Sequence, residues 1–177
     1  MAHSLAPNRA GFPSRPEVGL RGAREVQATR VWLRLYSCTN LIERALQRGL
    51  RVQFGTTLPR FDLLAQLEAA ERQGTPWLTL SELSRRLMVS NGNLTGLTTR
   101  MVRERLVSRS TSPDDARTQL VRLTSRGRQA FSRQARQVRR WLGRWFAALS
   151  DREVAGLAAG AAKLKRAVEG PPSEGGP

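Results

Sequence analysis

The feature that most constrains the fold is a very short connection between two amphipathic helical patterns. The first covers residues 79–87, and the second begins after Ser90. The turn that contains Val89 is too short for anything but a sharp bend, and the small side chain of Ser84 lets the two helices approach closely. The bend brings two apolar pairs together, Leu83 and Leu87 against Leu94 and Leu97. This packing predicts a helix-turn-helix.

The outer face of the second helix is not suited to filling a core. It carries short or forked hydrogen-bonding groups, namely Asn91, Gly92, Asn93, Thr95, Thr98, Thr99 and Arg100. Asn can pair with adenine, Arg with guanine, and a Thr methyl can contact thymine. Gly92 and Gly96 each cost about 1 kcal/mol relative to Ala in a helix, which indicates the close approach of another backbone. Ser90 and the free amides of the first turn suit a phosphate. We therefore predict that this helix contacts bases, rather than being a frayed and solvated surface helix.

A hairpin follows directly. Val107–Thr111 and Leu120–Leu123 are short alternating runs, and residues 112–118 form a polar turn between them. A two-stranded ribbon after a helix-turn-helix is a wing. Arg117 at its tip could enter a narrow minor groove, and Asp115 could either hold that side chain or cap the turn; we expect it to be paired. Two further arginines on the ribbon are candidate phosphate contacts, Arg109 and Arg122.

The charge of the chain is strongly positive. Its 177 residues include 30 Lys and Arg against 14 Asp and Glu, a net charge of +16, and only Lys163 and Lys165 are lysines. A GC-rich genome explains Arg in place of Lys but not the shortage of acids, so the balance indicates a polyanionic partner. Residues 116–150 contain nine Arg and no acid. We expect most of these to be solvated, and Arg126 and Arg128, nearest the wing, to contact phosphates.

The helix after the wing carries an apolar stripe. Thr124 is predicted to cap it, and it continues to about Leu149. The stripe alternates by four and three residues, as in a coiled-coil seam, through Phe131, Ala135, Val138, Leu142, Trp145 and Leu149, with Trp141 and Phe146 widening it. A helix of roughly 26 residues is about 39 Å long, which is more than one small domain covers. The stripe therefore needs a helix from its own chain or from a partner.

The remaining patterns complete a mainly α fold with a small β-hairpin wing. A first helix covers roughly Arg24 to Gln53, and a second, capped by Thr57 with Pro59 in its first turn, buries Phe61, Leu64 and Leu67. Two capping boxes, Thr79 with Glu82 and Ser150 with Glu153, begin further helices. The last helix is predicted to bury Val154, Leu157, Ala161, Leu164 and Val168. Pro-, Gly- and Arg-rich residues 1–22 favour a disordered arm over a mitochondrial presequence.

The run from Leu78 to Phe131 resembles the winged helix-turn-helix of the MarR family (multiple antibiotic resistance regulators). The matching motifs are LTLSELSRRL, LVSR, DDAR and LTSRG, and one long helix before this run and two after it fit the same layout. The departures are Arg105, where the family usually has Gly, and Ala116, where a further basic residue is common. Arg is uncomfortable in a left-handed helix cap, so we expect that junction to be built differently.

The resemblance implies a ligand-responsive transcription regulator, usually a repressor, that binds a palindromic operator as a homodimer. The expected organisation is a disordered arm (1–22), an N-terminal dimerisation helix (23–56), the winged helix-turn-helix (57–124), C-terminal dimerisation helices (125–169) and a flexible tail (170–177). Two recognition helices would then lie about one DNA turn apart. The alternative is a sequence-indifferent architectural DNA-binding protein.

The resemblance also implies a small-molecule or redox signal, received between the dimerisation helices and the winged domain. We expect an anionic, aromatic effector, or its acyl-coenzyme A thioester, with Arg60 or Arg44 as its counter-ion. The candidate lining is Trp32, Tyr36, Cys38, Asn40, Arg44, Arg60 and Phe61. The alternative is that these aromatic side chains are ordinary core and the arginines are solvated. Sensing through Cys38 would need a lowered thiol pKa or a partner cysteine, so inert packing is the simpler interpretation.

No enzyme class fits the sequence. The one His, His3, lies in the N-terminal arm and Cys38 is the one cysteine, so no His/Cys zinc site and no Ser–His–Asp set is available. No phosphate-binding glycine motif occurs. We therefore expect no catalytic residues, cofactor or metal. Because a lone cysteine suits a reducing compartment and no apolar run approaches 20 residues, we expect a cytoplasmic protein without a membrane partner.

Overall fold

The computed structural model describes residues 22–170, and the expected arm and most of the expected tail lie outside them. The described residues fall into two units, divided between Ile42 and Glu43. Within the described residues the elements are α1 (Ala23–Phe54), α2 (Leu58–Arg72), β1 (Leu78–Thr79), α3 (Leu80–Leu87), α4 (Asn91–Arg103), β2 (Val107–Thr111), β3 (Gln119–Leu123), α5 (Ser125–Phe146) and α6 (Asp151–Glu169). The predicted fold class, mainly α with a small β wing, is confirmed.

The described part of the first unit is a single helical segment, residues 23–42 of α1. Its large apolar side chains are exposed, namely Val31, Trp32, Leu33, Leu35, Tyr36 and Leu41. Cys38 is exposed as well. Among the described residues of the single chain no side chain covers Cys38, so packing of this side chain would require a second copy and stays a prediction.

The core of the second unit lies under α2. Leu63, Leu64 and Leu67 are at most 1% exposed, and they pack with buried residues of α3, α4 and the sheet, among them Leu83, Leu94, Met101, Val107 and Val121. The predicted core residue Phe61 is instead half-buried and packs in a tilted arrangement against Phe131, with ring centroids 5.5 Å apart. It belongs to a second cluster built on Leu50, Val138 and Trp141.

The sheet has one more strand than the predicted hairpin. β2 and β3 pair antiparallel, as the predicted hairpin requires, and their register places Val107 opposite Leu123. β1 pairs with the other edge of β3, with Leu78 opposite Val121. β1 was missed because two residues are too few to show an alternating pattern. The extra strand fixes the start of α3 to the base of the wing.

Side-chain caps define most helix starts. Both predicted capping boxes are present, and the Thr124 hydroxyl accepts from the Gly127 amide at 3.0 Å. Thr57 occupies the N-cap of α2 but its side chain makes no capping bond. Instead the Leu58 amide donates to the Gln47 side chain at 2.7 Å, so the cap of α2 comes from the end of α1.

The C-terminal helices leave apolar surface uncovered. The prediction that α6 buries its apolar stripe is wrong for the single chain: Leu157 is 51% exposed, Leu164 52% and Val168 77%. At the end of α5, Trp145 and Phe146 are more than one third exposed, whereas Trp141 is buried. In residues 22–170 no helix is long and apolar enough to cross a membrane.

Asp62, in α2, is a partly buried acid whose charge disfavours folding. Burial, and then repulsion from Glu43, raise its pKa from 3.8 to about 6. The folded state therefore binds the proton more tightly than the unfolded state, and stability falls as pH rises between these two values. Since one pKa unit corresponds to about 1.4 kcal/mol and the group is partly solvated, the effect at neutral pH is about 1–2 kcal/mol.

Replacing Asp62 with Asn should accordingly stabilise the protein at pH 7.5 by about 1–2 kcal/mol and have little effect near pH 4. Urea unfolding at the two pH values measures this difference. The exposed acid Asp114 gives a matched control, since Asp114→Asn should change stability by less than about 0.5 kcal/mol. An equal effect of Asp62→Asn at both pH values would contradict the electrostatic explanation.

Candidate nucleic-acid interface

The turn between α3 and α4 is fixed by its own hydrogen bonds. Met88 ends α3 in a left-handed conformation, with φ of 53°, and the Ser84 hydroxyl donates to the Val89 carbonyl. Ser84 thus does more than allow a close approach: it closes the turn. Ser90 is the N-cap of α4 and accepts from the Asn93 amide at 3.4 Å. The bend predicted from sequence is therefore present.

Most of the predicted recognition residues lie on one exposed face of α4. Asn91, Gly92, Asn93, Thr95 and Arg100 are exposed, and Thr99 is half-buried. Within the described chain, the Asn91, Asn93 and Arg100 side chains have no hydrogen-bond or ion-pair partner. A methyl group added at Gly92 or Gly96 would meet nothing within 4 Å. Within residues 22–170 the two glycines thus have no packing role, although each weakens the helix.

Thr98 was predicted to face outward, and this prediction is wrong. Thr98 is 0% exposed and packs on the inner side of α4. Its hydroxyl donates to the carbonyls of Leu94 and Thr95 at 2.9 and 3.0 Å, which satisfies the only polar group it buries. Its spacing from Leu94 and Met101, four and three residues, is the helical signal that places it inside.

Arg103 is a candidate that sequence reasoning missed. It is exposed in the last turn of α4. At 100° per residue it shares the face of Gly96 and Arg100, which lie seven and three positions earlier. This helical spacing was the signal in the sequence that could have identified Arg103.

The junction between α4 and β2 differs from expectation. Arg105 was expected to force a different construction, yet it adopts the left-handed conformation, with φ of 59°. Its amide donates to the Val102 carbonyl at 2.9 Å, and the next amide, of Leu106, donates to Met101 at 2.9 Å. Arg105 thus occupies the left-handed position that glycine usually takes at the end of a helix, and the same two hydrogen bonds form. The left-handed backbone of Arg105 costs about 1–2 kcal/mol.

At the tip of the wing, Asp115 caps the turn. Its carboxylate accepts from the Arg117 amide at 2.9 Å and from the Thr118 hydroxyl at 2.7 Å. Of the two expected roles, the turn cap is present and the hold on the Arg117 side chain is not. The bonds from Thr118 and Arg117 lower the pKa of Asp115, so it stays ionised. The Arg117 side chain is left exposed at the tip.

The other predicted phosphate contacts divide into engaged and free side chains. Arg109 donates to the Thr99 hydroxyl at 3.4 Å and links the wing to α4. The Arg122 guanidinium donates from Nε to the Ser108 hydroxyl at 3.3 Å. It also lies 4.5 Å from the centroid of the Trp77 ring, a cation–π contact that was not predicted from the sequence. Arg128 is paired with Glu71 at 2.7 Å. Arg126 is exposed and, among the described residues, has no partner.

The predicted effector residues lie in both units of the chain, and they differ in exposure and in partners. Trp32 and Tyr36 stack on each other in the first unit, with centroids 5.8 Å apart, and the Asn40 amide donates to the Tyr36 carbonyl at 2.9 Å. Cys38 and Arg44 are exposed. In the second unit, Phe61 packs on Phe131. Arg60 is ion-paired with Glu104, so its charge is already neutralised.

Comparison with known proteins gives one curated relative and several solved structures. The transcriptional activatory protein BadR of Rhodopseudomonas palustris is 33% identical over 104 residues, which are 59% of this chain and 58% of the relative. A mutant of MarR from E. coli, solved with operator DNA, is 25% identical with a TM-score of 0.66, over 78% of this chain and 95% of that one. Sco3205 of Streptomyces coelicolor, also solved with DNA, has a TM-score of 0.71 at 23% identity, over 84% and 91%.

A family model described as MarR family matches residues 54–118, which cover α2, the helix-turn-helix and the wing up to its turn. The same segment carries three of the four motifs on which the resemblance was based, whereas LTSRG, at residues 123–127, follows it. The structural relatives share the arrangement of helices around this segment. Residues 54–118 of the chain are therefore similar to the MarR family.

Proposed function

We propose that this protein is a homodimeric transcription regulator that binds DNA sequence-specifically through α4 and the wing. The observation that carries the proposal is the exposed face of α4. Asn91, Asn93 and Arg100 present free base-pairing groups there, and two glycines leave room for another backbone. A mutant MarR of E. coli has been solved with operator DNA, which supports the same role here.

The wing supplies the second contact. Because Asp115 orders the turn, Arg117 is held at the tip with a free guanidinium that suits a narrow minor groove. Arg126, in the first turn of α5, is free for a phosphate. Three of the predicted phosphate contacts already have partners within the protein, namely Arg109, Arg122 and Arg128. Each would have to give up its present partner before it could bind a phosphate.

The uncovered apolar surface supports a dimer. Exposed apolar side chains recur on α1, at the end of α5 and along α6, and surfaces of this kind mark protein interfaces. A second copy of the chain would cover them and present two α4 helices together, as a palindromic operator requires. Repression stays a prediction from the family resemblance, since the relative BadR is described as activatory.

Two alanine variants separate base recognition from phosphate contact. Arg100→Ala should reduce the preference for the operator over other duplexes by about 1–3 kcal/mol. Arg126→Ala should weaken binding to all duplexes alike and reduce the slope of affinity against salt by about one. Fluorescence anisotropy with operator and scrambled duplexes at several salt concentrations measures both. Arg140→Ala, an exposed arginine 14 residues further along α5, is the control and should change neither.

A sequence-indifferent architectural protein is the second candidate, favoured by the net charge of +16. A regulator should prefer its operator over bulk DNA by a factor of roughly 10³ or more, whereas charge alone gives no preference. Equal retention by operator and competitor DNA, together with no specificity change in Arg100→Ala, would reject the proposed function in favour of the architectural one.

A further inference from the structure

A cavity of about 250 Å³ with a mostly apolar lining lies between the start of α2 and the helix-turn-helix. Five apolar side chains line it, from the start of α2, the end of α3, the turn and α4, namely Leu58, Pro59, Leu87, Val89 and Leu97. Drug-sized ligands occupy roughly 300–1,000 Å³, so this volume suits a compound of one ring or a short branched chain.

Two carboxylates, of Glu43 and Asp62, complete the lining. In residues 22–170 neither makes a hydrogen bond or an ion pair, although the chain has 30 basic residues. The neighbouring Arg60 is taken by Glu104. Burial, and then repulsion from Glu43, raise the pKa of Asp62. The cavity therefore has two acidic groups and no basic group in its lining.

We propose that this cavity binds a small organic monocation, with an ammonium group between Asp62 and Glu43 and its apolar part against Leu58, Leu87 and Leu97. An apolar wall with a few placed polar groups is the usual construction of a small-molecule site. A divalent metal ion is a poorer fit, because Mg²⁺ held by one or two carboxylates keeps several waters, and the five apolar lining side chains offer those waters no hydrogen-bond partner. An anion would meet two negative charges. None of the residues expected to bind an anionic effector lines this cavity, so that expectation stays a separate prediction.

Occupancy of the cavity would act on DNA binding through direct contact. Val89 lies in the turn and Leu97 in α4, so the ligand touches the two segments that set the position of the exposed α4 face. This coupling rests on the proposed function, whereas binding of the cation does not.

Calorimetric titration of the full chain with three one-ring probes tests the binding. Benzyltrimethylammonium should bind at least ten times more tightly than benzyl alcohol, and benzoate should not bind. Asp62→Asn and Glu43→Gln should each weaken binding of the cation at least tenfold. Asp114→Asn, the same change in the wing turn, should leave it unaltered. Because Asp62→Asn is expected to stabilise the fold, thermal melting will show that any lost binding is not unfolding.

Different results would overturn the binding site, its coupling to DNA binding and the proposed function. Benzoate binding as well as the cation, unchanged binding in Asp62→Asn, or displacement of the cation by millimolar Mg²⁺ would overturn the proposed site. Cation binding that leaves operator affinity unaltered would overturn the coupling alone. Absence of any operator preference in the ligand-free protein would reject the proposed function and leave the cavity proposal standing.

Discussion

Replacing Gly127 with Ala is expected to lower the free energy of unfolding by about 3 kcal/mol or more, because overpacking here meets backbone rather than a movable side chain. Gly127 is buried in the first turn of α5. An added methyl group would collide with the Leu106 carbonyl and approach the Leu123 side chain to 3.2 Å. The Leu106 carbonyl cannot retreat easily, since it accepts from both the amide and the hydroxyl of Thr124.

Chemical denaturation followed by circular dichroism measures this effect, and Gly143 gives the matched control. Gly143 lies in the same helix, and a methyl group there would meet nothing within 4 Å. Gly143→Ala should therefore stabilise the protein by about 0.5–1 kcal/mol through helix propensity. Similar shifts in the two variants, or a loss below about 1 kcal/mol for Gly127→Ala, would show that the wing and α5 are not held together by this close approach.

Helix-level features were predictable because they depend on local signals. Side-chain caps and helical spacing place the starts of α3, α5 and α6, and the alternating runs place β2 and β3. β1 was not predictable, since its two residues form a strand only because β3 lies beside them. The cap of α2 by Gln47 was missed for the same reason: its partner is 11 residues away.

The exposed face of α4 was largely predictable from the sequence, but the hydrogen-bond and ion-pair partners of the candidate side chains were not. Spacing alone would have moved Thr98 to the inner side of α4, because it lies four residues after Leu94; its hydroxyl was taken as a sign of exposure, yet the helix's own carbonyls satisfy it. Pairing is harder. Arg60 meets Glu104 across 44 residues and Arg128 meets Glu71 across 57, so no local pattern separates them from free arginines such as Arg126.

The largest expected change in assembly follows from placing charges on the exposed apolar stripe of α6. Leu157 and Leu164 lie two turns apart on this stripe, and each is about half exposed in the single chain. Burial of a leucine side chain contributes roughly 1.5–3 kcal/mol, and a twofold interface would contain four of these side chains. We therefore expect the double variant Leu157→Glu with Leu164→Glu to weaken dimerisation at least about 10³-fold.

Sedimentation equilibrium over a range of concentrations would detect the resulting monomer, and operator affinity should fall with it because one α4 helix then binds without its twin. The control puts the same two charges on the other side of α6, as Ala155→Glu with Ala159→Glu, both at exposed positions about 150–170° from the stripe at 100° per residue. That variant should remain dimeric. Monomers from both variants would point to a general effect of charge on the helix. A dimer that survives Leu157→Glu with Leu164→Glu would move the interface away from α6, to the exposed apolar side chains of α1 and the end of α5.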